Sequence, residues 1–157
     1  MTNHYVFKSP IGLLDIREEN DKITGLSLQQ KESGAALSQK FTQHSELLFE
    51  AYRQLGEYFS GKRREFALPL YYAGTEFQRQ VWKELQSIPY GETRSYQDIE
   101  ASIGKPKAVR AVGQANNKNP ILIIVPCHRV IYKNGDISGF ACGVEAKKYL
   151  LDLERIK

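Results

Sequence analysis

Short strand-like runs fill the first quarter of the chain. Tyr5-Val6-Phe7, Leu13-Leu14-Asp15-Ile16 and Ile23-Thr24-Gly25-Leu26-Ser27-Leu28 are separated by the turn signal Ser9-Pro10-Ile11-Gly12 and by the polar residues 19–22. They predict a small antiparallel sheet. Residues 29–43 are polar and read as a loop. From His44 to Tyr58 the period becomes helical: Leu47, Leu48, Ala51, Tyr52, Leu55 and Phe59 recur on one face, and Gly61 follows as a C-cap candidate.

The second half has a different rhythm. Residues 69–74 read as a linker, and Thr75 is an N-cap candidate for a helix with Phe77, Val81, Trp82 and Leu85 on one face. Pro89-Tyr90-Gly91 ends it. Residues 95–103 predict a short helix, Gly104-Lys105-Pro106 a turn, and 107–116 a second helix rich in small residues. Helix, glycine-containing turn, helix fits a helix-turn-helix or an ordinary αα-hairpin, and the pattern leaves both open. An apolar, strand-length run covers 121–125, Asn134-Gly135 marks a tight turn, and 144–154 predict a last helix.

Composition adds limits. The chain has 157 residues, 41% hydrophobic and 25% charged, ordinary for a soluble globular protein of one substantial or two small domains. No apolar run approaches the ~20 residues that span a bilayer. The first residues show no basic stretch leading into a long apolar one, so a cytoplasmic protein without membrane contact is expected. Charge is uneven: 1–74 hold nine basic and nine acidic residues, and 75–157 hold thirteen and nine. Within 94–133, Arg94, Lys105, Lys107, Arg110, Lys118, Arg129 and Lys133 face only Asp98 and Glu100. Such an excess suits a polyanion, though a merely basic surface carries the same signature.

Cys127 and Cys142 read as thiols of a reducing compartment. With His4, His44 and His128 they give no metal-ligand spacing, so no metal and no organic cofactor is expected. Cys127 precedes His128 and Arg129. A base or cation near a thiol favours the nucleophilic thiolate, and Pro126 fixes the backbone before it. Adjacent side chains on extended backbone point apart, so sequence neighbours need not touch. A cysteine in such a run is by itself more often a core residue.

Longer stretches narrow the reading. Pro126-Cys127-His128-Arg129-Val130, Gly91-Glu92-Thr93-Arg94-Ser95-Tyr96, Pro106-Lys107-Ala108-Val109-Arg110-Ala111-Val112-Gly113, Asn119-Pro120 and residues 143–151 with Glu154 beyond them resemble the alkylguanine-DNA alkyltransferases. The likeness runs nearly throughout 75–157 and is looser, by length and strand-rich pattern, in the N-terminal part. It implies an α+β fold. A small antiparallel sheet with a helix, ribonuclease H-like, would fill 1–70. A mostly helical winged helix-turn-helix domain would fill 75–157, with the helix-turn-helix at about 95–116.

The same resemblance implies a function and a site. The chain would move an alkyl group from O6-alkylguanine, and from O4-alkylthymine, in DNA irreversibly onto Cys127, once per molecule. His128 would act as base through a water and Glu154 would orient it, a relay with the logic of a catalytic triad. Asn119 would brace the turn carrying Cys127, and Tyr96 would sit by the pocket near the lesion's phosphate or leaving guanine. Arg110 would enter the base stack from the recognition helix, aided by the close approach of the small residues Ala108, Ala111 and Gly113, and Lys107 and Ser95 would also bind the DNA. Pro126, Val130, Phe140 and Ala141 would line the base pocket. Chemistry on a base inside a duplex requires that it be flipped out. The implied partner is double-stranded DNA, approached by a monomer in the minor groove with little sequence preference. Cys142 stands where the family commonly has glycine, which bears on pocket width. The rival readings are a non-catalytic sensor of alkylated DNA, disfavoured by Cys127, a transcription regulator, and a cysteine hydrolase.

Overall fold

The computed structural model describes residues 2–29, 45–105, 107–137 and 143–155, which form two compact units. The first comprises Met1–Tyr72 with Pro120–Leu122, the second Ala73–Asn119 with Ile123–Lys157.

In the first unit, β1 (Thr2–Ser9), β2 (Gly12–Glu19) and β3 (Lys22–Gln29) form an antiparallel meander in that order. Asn20 and Asp21 take left-handed φ values of 52° and 62°, the conformation a two-residue hairpin turn demands. Central β2 is covered on both faces, so Leu13, Leu14, Asp15 and Ile16 are all buried. A buried carboxylate must be paired, and Asp15 meets His4 at 3.1 Å and Arg17 at 3.0 Å. Helix α1 (Glu46–Phe59) lays Leu48, Ala51, Leu55 and Tyr58 against the sheet. Its cap, Ser45, accepts from Leu48 N–H and donates to Glu18. The free edge of β3 is closed by two short parallel bridges: Ile23 N–H donates to Pro69 O and Leu26 N–H to Pro120 O, with returns from Tyr71 and Leu122. Covering an edge this way removes a template for unwanted pairing.

The second unit begins with α2 (Glu76–Gln86). Thr75 caps it in a reciprocal capping box with Gln78. The strand pair β4 (Arg94–Ser95) and β5 (Val130–Ile131) is parallel. Helix α3 (Tyr96–Ser102) and, after a turn, α4 (Val109–Asn117) pack on each other and on α2, and Trp82 Nε1 donates to Ala115 O at 2.8 Å. Helix α5 (Val144–Arg155) closes the unit.

Two expected elements differ. The second helix of the pair starts at Val109, not Lys107, because Lys107 has φ 66° and cannot join an α-helix. The run 121–125 is fully buried but is no strand: Ile121 makes a single bridge, and Ile123 at φ 68° turns the chain. The loop expected over 29–43 lies, after Gln29, outside the described residues.

Candidate active site

All of the site described below lies in the second unit. The chain arrives at Cys127 through a tight reversal. Pro126 (φ −82°, ψ 66°) is the centre of an inverse γ-turn in which Cys127 N–H donates to Val125 O at 2.8 Å. Proline suits that position because its ring already sets φ. Cys127–Arg129 then form one 3-10 turn, so the backbone here is not extended and the argument that neighbours must point apart does not apply. Two asparagines pin the reversal. Asn119 Nδ2 donates to Val125 O at 2.7 Å, and Asn116 Nδ2 reaches Cys127 O at 3.4 Å. The Cys127 side chain is 2% exposed.

His128 and Arg129 converge on one carboxylate. His128 Nε2 lies 2.7 Å from Glu154 Oε2, while Arg129 donates through Nε to Oε1 (2.8 Å) and Nη2 to Oε2 (3.0 Å). Arg129 Nη1 also donates to Ile88 O, and Gly91 N–H to Glu154 Oε1. A Cβ at Gly91, whose φ is 81°, would lie 3.3 Å from Glu154 O, so glycine is required for this approach. Burial alone would raise the Glu154 pKa, but the hydrogen bonds and charges of His128 and Arg129 outweigh it and hold the carboxyl ionised. Burial lowers the pKa of His128, against the pull of Glu154, and the Arg129 and Lys147 charges add to that lowering. The result is an anionic carboxylate facing a neutral imidazole. Nε2 must then carry the ring proton, and Nδ1 presents its lone pair. Nδ1 is buried and has no hydrogen-bond partner among the described residues.

Tyr96, the first residue of α3, is buried, and burial, with Tyr132 and Cys127 nearby, pushes its phenol up to about 12. Lys147 is fully buried on α5. Its Nζ donates to Val130 O at 2.6 Å, and burial draws its pKa down to about 8. Arg110 is exposed on α4 and lines a cavity of about 380 Å³ with Tyr96, Val109, Gly113 and Tyr132. Ser95 is the cap of α3, its Oγ accepting from Asp98 N–H. Ala108 precedes α4, Ala111 and Lys107 are exposed, and Pro126 and Val130 are buried beside Cys127 in the chain. Phe140, Ala141 and Cys142 lie outside the described residues. Among the described residues no three His, Cys, Asp or Glu side chains group as metal ligands.

Sequence reasoning missed Arg129, Asn116 and Lys147. Arg129 stood among the surface cations, yet it is 6% exposed and spends its charge on Glu154. The readable signal for Lys147 was helical spacing: 147, 150, 151 and 154 form the buried stripe of α5.

Fold and site together define a two-unit α+β protein built around one buried thiol and a carboxylate-held histidine. Residues 3–72 match the family model for the ribonuclease-like domain of 6-O-methylguanine DNA methyltransferase, and residues 76–156 match that for its DNA binding domain. The constitutive methylated-DNA–protein-cysteine methyltransferase of Bacillus subtilis is 51% identical, over 98% of this chain and 96% of its own. That of Methanosarcina acetivorans is 45% identical over 95% and 96%. The crystal structure of Mycobacterium tuberculosis O6-methylguanine methyltransferase superposes with a TM-score of 0.86 at 43% identity, covering 99% of this chain and 93% of that one. The M. tuberculosis OGT crystal structure in complex with DNA gives 0.85 at 42%, covering 97% and 92%. The chain belongs to the 6-O-methylguanine DNA methyltransferase family.

Proposed function

We propose that this protein repairs alkylated DNA by moving the alkyl group of O6-alkylguanine onto Cys127, and that each molecule acts once. The observation that carries the reading is the Glu154–His128 pair: Glu154 Oε2 accepts from Nε2–H at 2.7 Å, and buried Nδ1, with no hydrogen-bond partner among the described residues, is left to act as the base. Through a water, Nδ1 removes the thiol proton. The thiolate attacks the alkyl carbon, an S–C bond forms as the C–O6 bond breaks, and guanine leaves after taking a proton, for which the Tyr96 hydroxyl is the candidate donor. The product is a thioether, which cellular thiols do not reverse. O4-alkylthymine presents the same reacting group.

Asn119 is the positioning residue for the Cys127 turn. Pro126 and Val130, with Phe140 and Ala141, border the base pocket. The base reaches it by leaving the duplex, and Arg110 fills the gap from α4, where a planar cation can stack between bases. Small residues Ala108, Ala111 and Gly113 let α4 approach the minor groove, and Lys107 and Ser95 lie at its edges. Contacts of this kind read the backbone, so little sequence preference is expected of a monomer working in a reducing, cytoplasmic setting.

The deciding experiment is peptide mass analysis after incubation with O6-methylguanine duplex DNA. One methyl group should appear on the peptide holding Cys127, once per molecule; repeated turnover, or a methyl on Cys142, overturns the proposal. For Arg110→Ala, repair of duplex DNA should fall at least tenfold more than reaction with free O6-benzylguanine. Equal losses reject the extrusion role.

A further inference from the structure

Tyr132 takes no part in the reaction described above, yet its placement is specific. It follows β5 directly, and its backbone is clamped: Tyr132 N–H donates to Asp136 O (2.9 Å), and Gly135 N–H donates back to Tyr132 O (2.8 Å). Asn134 Oδ1 accepts from Asp136 N–H inside the same turn, and Gly135 supplies the φ of 90° that closes it. The ring lies 5.0 Å from that of Tyr96, centroid to centroid, with the planes tilted by 48°. Tyr96 thus backs one side of a ring that is otherwise 44% exposed.

Two hollows flank this ring. One, of about 380 Å³, is lined also by Arg110, Val109 and Gly113 of α4. The other, of about 390 Å³, is lined by Lys133, Asn134 and Asp136. Tyr132 and Gln97 border both, so they form the ridge between them. A tyrosine side chain has only two rotatable angles, so it loses little conformational entropy when something stacks on it. The second hollow carries a cation, Lys133, and a carboxylate, Asp136, beside the ring. The ridge is continuous with α3 and α4, in the segment matching the family's DNA binding domain.

We propose that Tyr132 is the stacking platform for the lesion-bearing DNA strand, taking the face of the base next to the extruded nucleotide. The proposal rests on the alkyl-transfer reading above and names one further contact for it. Every base offers a π-face, so the contact suits a protein that repairs lesions in any sequence context.

The test compares Tyr132→Ala and Tyr132→Phe with the unmodified protein in single-turnover alkyl transfer, from O6-methylguanine duplex and from free O6-benzylguanine. Tyr132→Ala should slow duplex repair about tenfold, the scale of one lost base–aromatic stack. Its reaction with the free base should stay within about threefold, which also reports that the variant folds. Tyr132→Phe should retain duplex repair. The proposal is overturned by an unimpaired Tyr132→Ala, by equal losses on the two substrates, which would make the ring a mere prop for Tyr96, or by a Tyr132→Phe that fails as badly as alanine. An unmodified protein inert to both substrates rejects the alkyl-transfer reading itself, and this contact with it.

Discussion

Glu154 serves four donors: His128, two nitrogens of Arg129 and the Gly91 amide. Removing its charge leaves a buried guanidinium without a counter-ion, which in comparable cases costs about 3–5 kcal/mol. Glu154→Gln should therefore lower stability by about that much in urea denaturation at pH 7; a loss under about 1 kcal/mol would mean the network is slack. Its folded pKa lies below the ordinary 4.5, so its contribution is complete above about pH 4.5 and fades as pH falls further. His128 sets a separate limit. Its pKa is held below 6.5, so the repair rate should fall on acidification only through a midpoint lower than that. A midpoint at or above 6.5 contradicts a buried neutral base. At this scale Cys127 and His128 were legible in one motif. Glu154 alone resembles a helix-terminal surface acid, and only family likeness assigned it a role. Arg129 was hidden because a motif records which residue is present and not where its charge goes.

Short helices depend on their ends. Helix α3 has seven residues, and a reciprocal box between Ser95 and Asp98 supplies its N-terminal hydrogen bonds. Ser95→Ala should cost about 1 kcal/mol in chemical denaturation. It should also slow repair, because Tyr96 is the first residue of that helix; unchanged stability would show that packing alone holds α3. The cap at Thr75 follows from local chemistry and is readable in the chain, whereas Ser95, read as the first residue of its helix, is the cap. The start of α4 is less readable, since nothing in the sequence announces that Lys107 adopts a positive φ. The strand-length run 121–125 shows a different limit: five buried apolar residues are consistent with a strand, and equally with the turn at Ile123 that they contain.

At the scale of the molecule, the basic excess of the stretch 94–133 survives with one subtraction. Arg94, Lys105, Lys107, Arg110, Lys118 and Lys133 are exposed or half-exposed, but Arg129 is neutralised inside. If about four of these cations meet phosphates, duplex affinity should drop about 10²-fold between 50 and 200 mM salt. A loss under about fivefold would place the DNA contact elsewhere. The order of strands and helices was largely legible, because each has a clear period and clear ends. The return of Pro120–Leu122 to the first unit was not, since it rests on backbone pairing with β3 that leaves no mark on side-chain pattern.

The position of Glu154 within α5 has one more consequence. It is the next-to-last residue of the helix, and helix ends are ordinarily the first part of a fold to open. Here that end is sewn to the turn bearing the thiol and to the loop at Gly91. Fraying of the last turn of α5 and loss of the imidazole's carboxylate partner are therefore a single event, and in the proposed reaction the integrity of a terminal helical turn would set whether the thiol is armed.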